Sequence, residues 1–135
     1  MNFTKRTEYA LRALVEIGTG DQSVPVKRET IAKSQKISSQ FLEQIFIPMM
    51  KDGIIKSVRG PGGGFILNKL PENINTWDVF CAVDNSNKLY DYCFQTGKQE
   101  CELINNCKIK FVWQQIDSAL KEAMEKITLR NIIES

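Results

Sequence analysis

The apolar positions of this chain fall into helical periods in five stretches and into two short strand-like runs. Over residues 4–18, Tyr9, Ala10, Ala13, Leu14 and Ile17 recur at helical spacing. That pattern predicts an amphipathic helix with Thr4 as N-cap, Gly18 as its stop, and Lys5, Arg6, Glu8, Arg12 and Glu16 outward. A short helix over Glu29–Ser34 follows, with Ile31 and Ala32 inward, then a tight turn at Gln35-Lys36-Ile37. Ser38 is placed to cap the next helix, in which Phe41, Leu42, Ile45, Phe46 and Met49 share one face. Gln40, Glu43, Gln44, Ile47 and Lys51 share the opposite face. Pro48 removes a backbone donor there, which predicts a kink or an early end.

Ile54–Val58 and Phe65–Leu67 are strand-like and are joined by Arg59-Gly60-Pro61-Gly62-Gly63-Gly64, the pattern of a hairpin with a glycine-rich turn. Asn75-Thr76 then precede a short helix over Trp77–Val83, in which Cys81 is expected to be a small buried thiol. From Lys108 to about Ile133 the apolar residues Ile109, Val112, Trp113, Ile116, Leu120, Ala123 and Ile127 predict one rod of roughly 36 Å. A rod of that length with an apolar stripe is expected to pack on a partner helix.

A short helix, a tight turn and a second helix with a hydrogen-bonding free face are the parts of a helix-turn-helix. In a major groove, Gln40 and Gln44 could read adenine edges and Glu43 could accept from cytosine. On spacing alone, an ordinary solvated helix face fits equally well. The hairpin tips the balance, because a helix-turn-helix followed by such a hairpin is a winged helix. Arg59 at the wing is suited to a minor groove, and Gly60 and its neighbours let the backbone approach phosphate. A phosphate-binding nucleotide loop is set aside, since no Gly-Lys-Ser/Thr ending or helix start follows these glycines.

Charge sharpens this picture. Residues 1–68 carry ten Lys/Arg against six Asp/Glu, whereas residues 69–135 carry eight against ten, a basic front half and an acidic back half that suggest the front half meets a polyanion. No apolar run approaches the ~20 residues that span a bilayer. The start, Met1 to Arg6, has no apolar signal region, so no membrane role and a cytoplasmic location are expected.

Three of the four cysteines, Cys93, Cys101 and Cys107, lie within fifteen residues in a polar segment without periodicity. In a reducing compartment such a cluster suggests a metal centre more than disulfides. The chain has no histidine, which removes most hydrolytic triads and the common catalytic zinc sites. Iron–sulfur clusters also prefer thiolates and tolerate one ligand other than cysteine. A thiol oxidoreductase would need a Cys-X-X-Cys and a βαβ pattern, and neither is present.

Tyr9-Ala10-Leu11-Arg12, Ser38-Ser39-Gln40-Phe41-Leu42-Glu43-Gln44-Ile45 and Val58-Arg59-Gly60-Pro61-Gly62-Gly63-Gly64-Phe65, together with the three cysteines, resemble the bacterial IscR/NsrR family of winged-helix regulators. The resemblance implies a homodimeric, non-enzymatic transcription regulator that binds a double-stranded DNA operator and, in many members, an iron–sulfur cluster through three cysteines. It puts Gln40, Glu43 and Arg59 at the DNA and Ser38 and Ser39 at phosphate. At the position of the IscR-like histidine ligand stands Lys110. At the position of the NsrR-like carboxylate, donated by the partner subunit, stands Glu8, which implies Cys93, Cys101, Cys107 and Glu8 as the ligand set. Glu8 also forms an i, i+4 pair with Arg12, the ordinary role of a solvated helix carboxylate. Both two-iron and four-iron clusters remain open, with the two-iron form preferred.

The expected fold is mainly α with a small β-hairpin: a winged helix-turn-helix over residues 1–70, then a cluster loop and dimerisation helix over 71–135. The expected function is a repressor controlled by its cluster. The alternative is a cluster-free winged-helix regulator of cysteine or sulfur metabolism, acting through thiol redox or a protein partner.

Overall fold

A computed structural model describes residues 5–84 and 108–135. Cys93, Cys101, Cys107 and Thr4 lie outside the described residues. Helix α1 spans Lys5–Gly18, α2 Arg28–Gln35 and α3 Ser39–Lys51. Strands β1 (Ile55–Val58) and β2 (Gly64–Leu67) pair antiparallel, with Ile55 opposite Leu67 and Val58 opposite Gly64. A 3-10 turn at Pro71–Asn73 leads into α4, Thr76–Val83, which is capped by the Asn75 side chain accepting from the Asp78 amide at 2.8 Å. Helices α5 (Lys108–Glu125) and α6 (Leu129–Glu134) close the chain.

The inward faces read from the periodicity form one core. Ala10, Ala13, Leu14 and Ile17 of α1 meet Ile31, Leu42, Ile45, Phe46 and Met49, with Ile54, Ile55, Ile74, Val79 and Leu129 completing it. Each fully buried Leu, Ile, Phe or Met contributes about 1.5–3 kcal/mol. Phe46 also meets Phe65 of the wing edge-on, with ring centroids 4.7 Å apart, so the hairpin is anchored to α3. The wing has a second anchor. Val26 and Phe65 exchange backbone hydrogen bonds of 2.8 and 2.9 Å just ahead of α2. A side chain at Gly64 would place its Cβ 2.5 Å from the Val26 carbonyl oxygen, so glycine is required for this close approach.

Three expectations need correction. The early end expected at Pro48 does not occur: helix α3 continues through it to Lys51. The bond Pro48 cannot make is the one to the carbonyl of Gln44, an exposed residue whose carbonyl water can serve. The Pro48 carbonyl still accepts from the Asp52 amide at 3.0 Å, so the ladder resumes at once.

The pattern from 108 to 133 is two helices and not one rod. Helix α5 has 18 residues, a length of about 27 Å, and the chain then leaves helical geometry before α6. The break comes from pairing with the segment ahead of α4. The Thr76 amide donates to the Ile127 carbonyl at 2.9 Å, the Leu129 amide to the Ile74 carbonyl at 2.7 Å, and the Thr76 hydroxyl to the Met124 carbonyl at 2.7 Å. Thr128 and Asn131 then start α6 with a reciprocal capping box. Helix α6 packs back on α1, where Ile133 and Leu129 lie beside Gly18.

Cys81 is half-buried and is not a core residue. It lines a surface cleft of about 280 Å³ with Asp52, Ile54, Lys69 and Asp78. Partial burial, reinforced by the negative charge of Asp78, pushes its thiol pKa above the ordinary value.

Candidate nucleic-acid interface

Helix α3 begins where the sequence predicts. Ser38 has extended backbone angles, and its hydroxyl accepts from the Phe41 amide at 3.1 Å, satisfying one of the free donors of the first turn. Ahead of it, Lys36 adopts a left-handed conformation (φ 55°), which ends α2 and turns the chain sharply into α3. Ile37, in that turn, is buried and pins it. A second constraint sets the approach of α2 to α1. The Glu16 carboxylate accepts from the Gln35 side-chain amide at 2.8 Å and from the Ser34 hydroxyl.

With its apolar face committed to the core, α3 presents Gln40, Glu43, Gln44 and Ile47 to solvent, and Lys51 extends the same face. Two amides, a carboxylate and an exposed aliphatic group are the side-chain types that read adenine edges, the cytosine amino group and the thymine methyl. Arg59 and Gly60 stand exposed at the tip of the hairpin. Gly60 has φ 98° and its carbonyl accepts from the Gly63 amide at 2.9 Å, closing a turn that a side chain at Gly60 would strain. The structure therefore brings Gln40, Glu43 and Gln44 together on one helix, with Arg59 and Gly60 on the adjacent wing.

Ser39 does not point freely outward. It is half-buried, and its hydroxyl accepts from Nε of Arg28 at 3.0 Å. The Arg28 guanidinium also lies 3.7 Å from the Glu43 carboxylate and 3.9 Å from Glu29. Arg28 is absent from the residues singled out by pattern, because its partners lie 11 and 15 residues further on. No helical or strand period links them.

Glu8 lies on α1, on the opposite side of the helix from the core residues Ala10, Ala13 and Ile17. Its carboxylate pairs with Arg12 at 2.7 Å and Lys5 at 3.3 Å, and all three side chains are substantially exposed. Arg6, one turn earlier than Ala10, donates to the Val83 carbonyl at 2.6 Å, and the Thr7 hydroxyl donates to the buried Asp84 carboxylate at 3.2 Å. The end of α4, from which the chain runs towards Cys93, is thus fastened to the first turn of α1. Among the described residues no group of three or more acidic, cysteine or histidine side chains could hold a metal ion.

A family model described as an iron-dependent transcriptional regulator, Rrf2, matches residues 3–135 of this chain. The chain belongs to the Rrf2 family. It is 33% identical over 133 residues to the HTH-type transcriptional regulator IscR of Yersinia pseudotuberculosis, covering 98% of this chain and 79% of that protein. Against IscR of Escherichia coli the identity is 32%, covering 98% and 80%. The structure of T. potens IscR superposes with a TM-score of 0.75 at 25% identity, over 99% of this chain and 87% of that one. CymR of B. subtilis, described as a global cysteine regulator, superposes with a TM-score of 0.77 at 22% identity, covering 99% and 97%, a likeness of fold. As an Rrf2 protein the chain is a DNA-binding transcriptional regulator with a winged-helix fold, and not an enzyme. Among the described residues no helix is long and apolar enough to cross a membrane.

Proposed function

We propose that this Rrf2 protein is a homodimeric repressor that reads a palindromic operator with α3 and the wing, under the control of an iron–sulfur cluster. The observation that carries the DNA-reading part is the free face of α3, which holds Gln40, Glu43, Gln44 and Ile47, with Arg59 exposed on a wing packed against α3 through Phe46 and Phe65. In this reading α3 enters the major groove and Arg59 the adjacent minor groove. Ser38, Ser39 and the Gly60 backbone lie along phosphates. The Ser38 hydroxyl uses a lone pair on the Phe41 amide and keeps its own proton to donate.

Dimerisation is supported by α5. Ile109, Phe111, Val112 and Ile116 are exposed along it, and Met124 is its one buried residue. A second copy of α5 is the simplest cover for that stripe, and two-fold pairing gives each operator half-site one reading head.

The cluster is assigned to Cys93, Cys101 and Cys107 of one chain with Glu8 of the partner subunit. Support comes from the three thiols in a chain without histidine, from relatives named IscR, and from the exposure of Glu8. Glu8 fits a ligand role in that its carboxylate is at the surface and is held, among the described residues, by Lys5 and Arg12, partners it can exchange. An iron–sulfur cluster held there would supply chemistry responsive to redox state, oxidants or iron supply. Arg6, Thr7 and Asp84 fix the first turn of α1 to the end of α4, and α1 packs on the core that carries α3. A change in the position of α1 therefore reaches the reading head.

Anaerobic purification, iron and sulfide analysis and visible absorption test the cluster. Stoichiometric iron and sulfide, lost in Cys93→Ala, Cys101→Ala and Cys107→Ala, are expected. A colourless anaerobic protein without iron and sulfide overturns the assignment, while leaving the DNA-reading part to be tested by operator binding.

A further inference from the structure

Arg28 is the first residue of α2, outside the recognition helix, yet two of its guanidinium's three contacts lie on α3. Nε donates to the Ser39 hydroxyl at 3.0 Å, Nη1 lies 3.7 Å from Oε2 of Glu43, and Nη2 lies 3.9 Å from Oε1 of Glu29. The Arg28 side chain is 29% exposed and Glu43 57% exposed, so the fork lies against the surface while the carboxylate reaches beyond it. We propose that Arg28 is a positioning residue that sets the base preference at the position Glu43 reads, by fixing the Glu43 carboxylate and the Ser39 hydroxyl in the orientations they bring to DNA. This rests on the reading of α3 as the recognition helix.

The chemistry follows from the donor and acceptor inventory. A guanidinium offers five donors and no acceptor, so a hydroxyl in contact with it must accept. Ser39 therefore keeps its own proton to donate outward, the polarity a phosphate oxygen requires. A carboxylate offers two oxygens. With Oε2 turned to Arg28, Oε1 is left to accept from a cytosine amino group. The neighbouring charge matters as much as the geometry. An unpaired carboxylate carried into a groove lined by phosphates is repelled, and the repulsion grows as water is excluded. In free solution an exposed pair of this kind contributes little to stability, so the effect of Arg28 belongs to the complex and not to the fold.

The wing strengthens the case for a fixed geometry. Val26, two residues before Arg28, is hydrogen-bonded to Phe65 of β2 in both directions. The start of α2, and with it Arg28, is thus anchored to the wing while its side chain holds α3.

The test is a double-mutant cycle in full-length protein. An operator selected from random DNA, and variants of it changed at single base pairs, are titrated with wild type, Arg28→Ala, Arg28→Lys, Glu43→Gln and Arg28→Ala/Glu43→Gln. Thermal melting serves as a control for folding. Arg28→Ala is expected to reduce discrimination about tenfold at one base pair, the same pair whose discrimination Glu43→Gln abolishes. In the Glu43→Gln background the same change is expected to shift that discrimination by less than about twofold. Arg28→Lys keeps the charge without the fork and is expected to restore affinity but not discrimination. A uniform loss of affinity in Arg28→Ala, with discrimination at that base pair unchanged, would make Arg28 a plain phosphate contact and overturn the proposal. So would an unchanged Arg28→Ala. Failure of the underlying reading shows separately, as a wild type that prefers no sequence.

Discussion

Helices α3 and α5 are both amphipathic, and they dispose of their faces in opposite ways. Helix α3 commits its apolar face to its own core, where Leu42, Ile45 and Met49 are fully buried, and leaves amides and a carboxylate outside. Helix α5 turns apolar residues outward, with Phe111 62% and Ile109 57% exposed. A free polar face in the basic half of a chain suits a polyanion, and a free apolar stripe suits another protein surface. What each helix leaves uncovered differs, although both have the same period, and it is this difference that supports the two proposed interfaces.

The comparison can be broken from its inner side first. Phe46→Ala removes the largest fully buried side chain among the described residues, which also holds the wing through Phe65. It is expected to cost about 3–5 kcal/mol in chemical denaturation. Because whole domains are stable by only about 5–15 kcal/mol, DNA binding should fall with the fold.

Charging the α5 stripe should separate the two faces. Ile116→Glu is expected to weaken self-association by at least about 100-fold in analytical ultracentrifugation, because it buries an unpaired charge in the proposed interface. The melting of the α1–α3 core should survive in the resulting monomer. A variant that dimerises like wild type would remove α5 from the interface. On the other face, Arg59→Ala should lower operator affinity by about 1–3 kcal/mol in a binding titration and leave thermal stability unchanged.

Smaller effects concern how the faces are held. Ser38→Ala removes the α3 cap and should cost about 1 kcal/mol in denaturation. The smallest is at the surface, where Glu72 pairs with Arg130 at 3.0 Å. Its own backbone amide and Arg130 hold the Glu72 pKa below the ordinary value. A depressed folded-state pKa gives stability that is present above the unfolded value and lost as pH falls through the folded one. Glu72→Gln should therefore shift melting slightly at neutral pH and not at all in strong acid.

Much of this was legible in the residues. The period of α3 identified both of its faces, Ser38 identified its start, and the glycine run between two β-rich segments identified the wing. Local signals sufficed there because each is closed by neighbours in sequence. The break between α5 and α6 was not legible from periodicity, since Ile127 continues the helical register. It is imposed by pairing with residues 74–76, some 50 positions away, although Thr128 and Asn131 carry the spacing of a capping box. Pro48 does not end α3, because the bond it cannot make is the one to the carbonyl of the exposed Gln44. Cys81 was placed in the core by residue type, whereas the end of α4 leaves it at a cleft lined by Asp78 and Lys69. Arg28 was missed for the reason that makes it informative: its partners are brought to it by the turn at Lys36 and by no sequence period.

Hydroxyl-radical footprinting of a selected operator tests both faces at once. The account predicts two protected blocks related by a dyad, centred about 10–10.5 base pairs or a multiple apart. Ile116→Glu should reduce them to weak protection of single half-sites, and Arg59→Ala should thin both equally. A single asymmetric block from the wild-type protein would contradict the pairing of a DNA-reading α3 with a self-associating α5.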